Sequence, residues 1–398
     1  MDIRFNNDFL AIPGMFRCHA PKKEGVNMRI AVGMDLHAKT AVCYAVFAGG
    51  GDPTKKETEF LDSFNKNYRS VKSDPDGLIS VAKALKNHES HILIENSTKT
   101  FEAYWILTNY GCHVTVAVAQ DLYRITKSLK KTDKNDSAEL AQYMRRRLYG
   151  ENEFSECMMP SKDWMMNREL CRTIFYEKLH LADIKRRARM HLMLQGIYLS
   201  REYTDIFCRK AVEEMKLTKD PCLLIFINEA GSIKKRTDFE AKLIRDRFEN
   251  NEDYQLLLSI PGIGSVSAAY LISLIVDIER FESRAAFCAY FGIVPKVKES
   301  ADHSANCSTT HRGDEDARRI LCQCAMVHIR VCDSVVTEMY NRLRSNGKCH
   351  KEALVAAARK LATVIWSVLK NRTEFSTDAD LLARAGEMED SVMEELSE

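Results

Sequence analysis

Apolar positions follow two different periods along this chain. The N-terminal third alternates short apolar, β-branched runs with amphipathic stretches, while from about Lys162 onward the spacing is helical. Ile30–Met34 and Thr40–Val46 are apolar runs parted by a brief polar turn, the pattern of a β-hairpin. A third strand is predicted around Glu57–Ser63, then a helix over Asp76–Asn87 with Leu78, Ile79, Ala82 and Leu85 on one face. His91–Glu95 reads as a short buried strand, Thr98–Tyr110 as a helix and Cys112–Val118 as a fifth strand.

Three early strands followed by alternating helix and strand predict an α/β layer built on a mixed five-stranded sheet, in RNase H-like order. Beyond it, Lys162–Tyr203 and Asp238–Leu257 predict long helices flanking a less regular middle that holds Pro221 and Gly231. Two such helices can pair as an antiparallel coiled-coil spacer or pack singly on a domain. The stretch from Leu256 to Ile272 contains Ser-Ile-Pro-Gly-Ile-Gly, the signature of a helix–hairpin–helix in which Gly262 and Gly264 let backbone amides approach a phosphate. A purely structural helical turn is the alternative. Arg284–Phe291 predicts a helix stopped by Gly292 and Pro295, and Lys351–Lys370 a final core helix. Between them lies a polar loop rich in hydroxyls, after which Asp314 can cap the next helix.

Length and charge refine this division. At 398 residues the chain calls for two or three domains. We expect an extension over 1–27, a catalytic α/β domain over 28–150, a helical or coiled-coil spacer over 160–257, an all-α domain over 258–372 and an acidic tail over 373–398. The formal net charge is only +2, yet Thr373–Glu398 holds nine acids and one base, which leaves +10 on the remainder. A basic body of this kind suits a nucleic-acid partner. Thirteen scattered cysteines without a CxxC pair point to reduced thiols in the cytoplasm and lend structural zinc no support. No apolar run reaches membrane-spanning length.

Four acids stand at structurally similar places. Asp35 and Glu95 each close a predicted strand, and Asp133 and Asp136, three apart, open a helix after the fifth strand. Singly, each reads as a turn-former or a helix cap. Together they match what magnesium requires, several hard oxygen ligands converging on one small site.

With these pieces in hand, the chain resembles the DEDD-type insertion-sequence transposases of the one-ten family, from about Arg29 to Lys370. The resemblance rests on four ordered acids, long helices, a helix–hairpin–helix and the run Phe-Gly-Ile-Val-Pro-Lys-Val-Lys-Glu-Ser ending at Ser300. It implies a RuvC-like domain in which Asp35, Glu95, Asp133 and Asp136 bind two magnesium ions, with manganese as a substitute. It also implies a serine nucleophile, Ser300 by its spacing from Pro295. Ala301 stands where the family has glycine, and His311-Arg-Gly-Asp314 has histidine where lysine is common, so Ser304 and Ser308 stay open as alternatives. The implied partners are donor and target DNA, a structured bridge RNA that guides the reaction, and further copies of the chain as a dimer or tetramer. Candidate backbone contacts are Lys127, Lys130, Lys131 and Lys134; Arg145, Arg146 and Arg147; Lys185, Arg186, Arg187 and Arg189; and Lys296, Lys298 and Arg312. Each basic cluster reads equally well as a solvated helix face. Competing readings of the whole are a hydrolytic junction-resolvase-type nuclease using the same acids, and an inactive relative that only binds nucleic acid.

Overall fold

A computed structural model describes residues 28–119, 121–122, 133–151, 153–294 and 313–377. The extension 1–27 and most of the acidic tail lie outside them. The chain divides into two compact units, 1–159 and 160–398.

The first unit holds a mixed five-stranded sheet. Strands β1 (Arg29–Leu36) and β2 (Thr40–Phe47) form the expected hairpin, whose turn is closed by the His37 amide donating to the Thr40 carbonyl at 2.8 Å. They are followed by α1 (Lys55–Asn67), β3 (Val71–Lys72), α2 (Pro75–Leu85), β4 (Glu89–Glu95), α3 (Thr100–Asn109), β5 (His113–Ala117) and α4 (Asp133–Leu148). Strand order is β3-β2-β1-β4-β5, with β1 antiparallel to β2 and parallel to β4, and β4 parallel to β5. The strand expected at Glu57–Ser63 is instead the middle of α1. Thr54 and Glu57 form a reciprocal capping box there, satisfying end amides that a strand would have left to a neighbour. The third strand is the two-residue β3.

Alternation along β1 and β4 sorts their side chains between two faces. Ile30, Val32 and Met34, with Ile92 and Ile94, enter a core shared with Phe64 of α1, Leu78 and Val81 of α2 and Leu107 of α3. Ala31 and Leu93 enter the opposite core, with Leu140, Tyr143 and Met144 of α4 and Phe154. The second face is narrower and belongs largely to one helix.

The second unit is helical: α5 (Lys162–Leu194), α6 (Arg209–Leu217), α7 (Pro221–Phe248), α8 (Glu252–Leu258), α9 (Ser265–Ile275), α10 (Arg284–Tyr290), α11 (Glu315–Val331), α12 (Val335–Ser345) and α13 (His350–Asn371). The spacer helices pair antiparallel, tied by Glu177 to Arg236 (2.9 Å), His180 to Glu229 (3.3 Å) and His191 to Asp220 (3.1 Å). Their boundaries differ from the expectation. Pro221 opens α7 as its first helical residue behind the Asp220 cap, and Gly231 sits inside that helix. The pair also shares the main helical core: Cys171 and Ile174 of α5 and Ile244 and Phe248 of α7 pack with Tyr270, Phe287, Leu321 and Leu361. A smaller cluster around Ile184, Leu192, Met215 and Leu223 fills its far end.

Helices α8 and α9 flank the Pro-Gly-Ile-Gly turn, and α11 explains part of its sequence. Gly262 has φ +92°, and a Cβ on it would lie 2.7 Å from the His328 amide nitrogen and 2.8 Å from the Cys324 carbonyl oxygen. His328 is fully buried; its Nδ1 lies 2.6 Å from the Pro261 carbonyl oxygen and its Nε2 2.7 Å from Ser334 Oγ. A carbonyl can only accept, so Nδ1 carries the proton and Nε2 accepts from the hydroxyl. The demand for glycine at 262 is therefore internal, whereas Gly264 is exposed with open space beside it.

We expect Gly262→Ala to lower stability by about 1–3 kcal/mol through strain and clash, and Gly264→Ala to leave the urea midpoint nearly unchanged. Burial depresses the His328 pKa, a shift only partly offset by its bond to Pro261. The unfolded chain then binds a proton that the folded one excludes, so stability present above the unfolded pKa is lost as pH falls toward the folded one. His328→Gln should show a flatter loss of stability than the parent between about pH 7.5 and about pH 5.5 in urea titrations.

Candidate active site

The close approach of α4 to β1 places the backbone that carries the candidate acids. A Cβ on Gly33 would lie 2.0 Å from the Ser137 carbonyl oxygen and 2.5 Å from the Ala141 amide nitrogen, so helix backbone rests directly on strand backbone. At the far end of α4, Tyr149 Oη donates to the Gly49 carbonyl at 2.6 Å. Gly49 follows the end of β2, where Phe47 pairs with Ile30 at the start of β1. Helix α4 therefore runs opposite to β1, with its first turn over the end of β1.

Asp35 lies two residues beyond Gly33 and shares its face, the one that α4 covers. Met34 pairs in parallel register with Ile94, which puts Asp35 and Glu95 at neighbouring positions on strands about 4.8 Å apart. Glu95 also follows Leu93 by two and so points to the same face. On the helix, Asp136 is half-buried and precedes Leu140 by four, beside the buried Ser137, Leu140 and Met144. From Ser137 back to Asp133 is about 6 Å of helix, and from Gly33 to Asp35 about 7 Å of strand. The C-terminal ends of β1 and β4 and the start of α4 thus lie at the same end of the sheet. The Asp133 side chain itself lies outside the described residues.

Asp35 is largely covered, with 17% of its side chain exposed, and His37 Nε2 lies 3.3 Å from its Oδ2. The Glu95 carbonyl accepts from Thr100 Oγ1 at 3.1 Å, and the Asn96 amide donates to the Ala117 carbonyl at 3.1 Å, fixing the backbone just past β4. Carboxylates on two rigid strands and a helix start can hold divalent cations that prefer oxygen. Gly33 and His37 were not singled out from sequence. The signal was present in Gly33-Met-Asp35-Leu-His37, a glycine on the same face as the first acid and a histidine two residues past it.

Ser300, with Ser304 and Ser308, falls in 295–312, outside the described residues, as do Lys296, Lys298 and Arg312. The flanks of that segment meet: the Cβ position of Gly313 is 2.4 Å from the Tyr290 carbonyl oxygen and 3.1 Å from the Gly292 nitrogen. Asp314 then caps α11 and accepts from Arg172 Nη2 at 2.6 Å and from Tyr270 Oη at 3.1 Å. Burial alone would raise the Asp314 pKa, but the Ala317 amide and the Arg172 charge outweigh it and hold the carboxyl below its ordinary range. One turn along α5, Tyr176 donates to Asp316 at 2.8 Å. Sequence marked Asp314 as a cap and missed its partners, which lie 142 and 44 residues away.

The basic candidates are mostly occupied within the protein. Arg146 pairs with Glu153 (3.0 Å) and covers the Tyr143 ring, and Arg147 pairs with Glu156 (2.7 Å) and stacks on Phe154. With Arg145 they stand at the end of α4 remote from the acids. Lys185 pairs with Asp205 (3.1 Å), Arg186 with Asp183, Arg187 lies over Phe226, and Arg189 donates to the Thr204 carbonyl (2.8 Å). This second cluster pins the loop after α5 and the start of α7. Lys127, Lys130 and Lys131 are outside the described residues, as is the Lys134 side chain.

The chain thus joins a mixed five-stranded sheet, with Asp35 and Glu95 at neighbouring strand ends, to a helical unit. Residues 254–341 match the transposase family described as IS116/IS110/IS902. It is 30% identical over 135 residues to a transposase for insertion sequence element IS1328 from Yersinia enterocolitica, covering 33% of this chain and 40% of that one. It is 31% identical over 137 residues to an insertion element IS900 42 kDa protein from Mycobacterium paratuberculosis, covering 33% of each. A pilin gene-inverting protein of Moraxella lacunata aligns over 296 residues at 26% identity, covering 72% of this chain and 81% of its own. The alignments to the first two thus span two fifths or less of those relatives.

Gly33→Ala should displace the first turn of α4 from the strand ends. The outcome we expect is a loss of roughly 1–3 kcal/mol in stability, together with weakened divalent-cation binding measured by isothermal titration.

Proposed function

We propose that this protein is a transposase or recombinase of an insertion sequence, which cuts and rejoins DNA. What supports this reading is the match of residues 254–341 to the IS116/IS110/IS902 transposase family, with Asp35 and Glu95 on neighbouring strand ends and the start of α4 at the same end of the sheet. The strand order, two antiparallel pairings followed by two parallel ones, supports an RNase H-like, RuvC-like assignment for the first unit. The named role of the Moraxella relative in gene inversion supports rejoining over simple cleavage.

The donor set fits magnesium. All four candidate ligands, Asp35, Glu95, Asp133 and Asp136, are carboxylates, the hard oxygen donors that ion takes. When bound, the ions would stabilise charge on the phosphoryl group and on the leaving oxygen. In our reading Ser300 Oγ attacks a DNA phosphorus while the DNA oxygen departs, forming a phosphoserine link. Attack by a hydroxyl of the exchanged strand then breaks that link and frees the serine. The contacts of Asp314 with Arg172 and Tyr270 would hold the base of the serine segment steady through both steps. Gly264, exposed at the start of α9 with no side-chain cap, suits a DNA backbone contact within a helix–hairpin–helix. A bridge RNA and a dimer or tetramer complete the proposal.

Trapping of covalent protein–DNA adducts tests it. Asp35→Ala, Glu95→Ala and Asp136→Ala should each reduce strand cleavage by at least about a hundredfold while DNA affinity is retained. Ser300→Ala should abolish the adduct. If cleavage persists in Ser300→Ala, Ser304→Ala and Ser308→Ala alike and no adduct ever forms, the nuclease reading replaces ours.

A further inference from the structure

The far end of the spacer pair holds a second group of metal-ligating side chains, which the reaction above does not use. His191 lies in the last turn of α5, Asp220 caps α7, and Cys222 is the second residue of α7. Their ligand atoms all lie within 4.8 Å of one another, and among the described residues this is the one such group of three. His191 Nε2 stands 3.1 Å from both Asp220 oxygens. His191 and Asp220 are mostly covered while Cys222 is exposed, so the group opens to solvent on its thiol side.

We propose that His191, Asp220 and Cys222 form a site for a thiophilic divalent cation of the zinc type. Imidazole, carboxylate and thiolate are the three ligand classes zinc accepts, at about 2.0–2.3 Å each in a tetrahedral arrangement. Ligands at such distances stand roughly 3–4 Å from each other, and the three side chains already come within 4.8 Å. The mixed set also discriminates against magnesium, which takes oxygen donors and has no preference for sulfur. The balance is simple. Neutral His191 gives a lone pair, Asp220 is already anionic, and the Cys222 thiol releases its proton to solvent as sulfur binds the ion. Three protein ligands leave a fourth position for water.

The ion would act as a staple. Residues 195–220 separate the two helices, and they include α6 and the loop pinned by Arg189. Joining His191 to Asp220 and Cys222 closes that excursion at its base. The acids of the first unit and this group are separate in sequence and in donor chemistry. Cys222 and Asp220 are also too close for a CxxC-type pattern, and His191 is 29 residues from Asp220, which is why sequence spacing concealed the group.

The test uses the full chain, freed of metal and titrated with Zn2+ alone against a chromophoric chelator, then with Co2+. We expect one tightly held ion that survives Asp35→Ala, and a cobalt spectrum showing tetrahedral bands with thiolate charge transfer. Cys222→Ser should abolish the charge-transfer band, and it and His191→Ala should each weaken Zn2+ binding by roughly tenfold or more. Exchange of another exposed cysteine, Cys349→Ser, should change neither. Zn2+ should raise the melting temperature of the parent and not of Cys222→Ser, since a ligand stabilises only the state that binds it. Because Cys222 is exposed, its serine variant should keep the parent's circular dichroism. An unchanged cobalt spectrum in a folded Cys222→Ser protein, or equal Zn2+ affinity in parent and both variants, overturns the proposal.

Discussion

At Gly33, helix α4 lies on strand β1 with no side chain between the two backbones. That contact sets the height of the helix above the sheet, and with it the position of the α4 first turn over the ends of β1 and β4. A close backbone approach is a rigid constraint, because neither partner can yield by changing a rotamer. The remaining contacts of this face follow from it. Leu140 and Met144 reach the layer of Ala31 and Leu93, and Tyr149 closes the far end on Gly49. Acids on strand ends alone would be scattered turn residues. A helix held this closely carries its own acid-bearing first turn over the acid-bearing strand ends.

The second unit uses a comparable device with different chemistry. Asp314 is at once a helix cap, an ion-pair partner of Arg172 and an acceptor for Tyr270, so α5, α9 and α11 are tied at one carboxylate. The pairing favours its charged form against the cost of burial, which is the balance a half-buried ion pair requires. Gly313 beside it brings the flanks of 295–312 together, so an eighteen-residue excursion starts and ends on fixed ground. Loops positioned by rigid scaffolds are common places for functional residues.

The basic runs also serve the fold itself. Arg146, Arg147, Lys185 and Arg189 looked from sequence like a nucleic-acid footprint. Each has an internal carboxylate or carbonyl partner, and Arg146, Arg147 and Arg187 lie over aromatic rings. Arg145 keeps an exposed place, at the end of α4 away from the acids. Similarly, Gly262 is demanded by the α11 backbone behind it, while Gly264 keeps the open position that a phosphate contact needs.

Sequence by itself determined the elements whose patterns are local. The β1–β2 hairpin, α2, β4, α3, β5 and the turn at Pro261–Gly264 all follow from apolar period and from glycine and proline placement, and Asp35, Glu95, Asp133 and Asp136 drew notice because each stands near an element boundary. It misplaced the third strand, where apolar residues of α1 were read without the Thr54–Glu57 box, and the start of α7, where a helix-opening proline was read as a break. Only the tertiary structure decided which boundaries meet. Sheet register put Asp35 beside Glu95, and the Gly33 approach brought the start of α4 to them. Arg172 found Asp314 across 142 residues, and His191 found Asp220 across 29. The physical reason is the same in each case: period and capping are set by neighbours in the chain, whereas convergence depends on packing between elements that the sequence does not order in space.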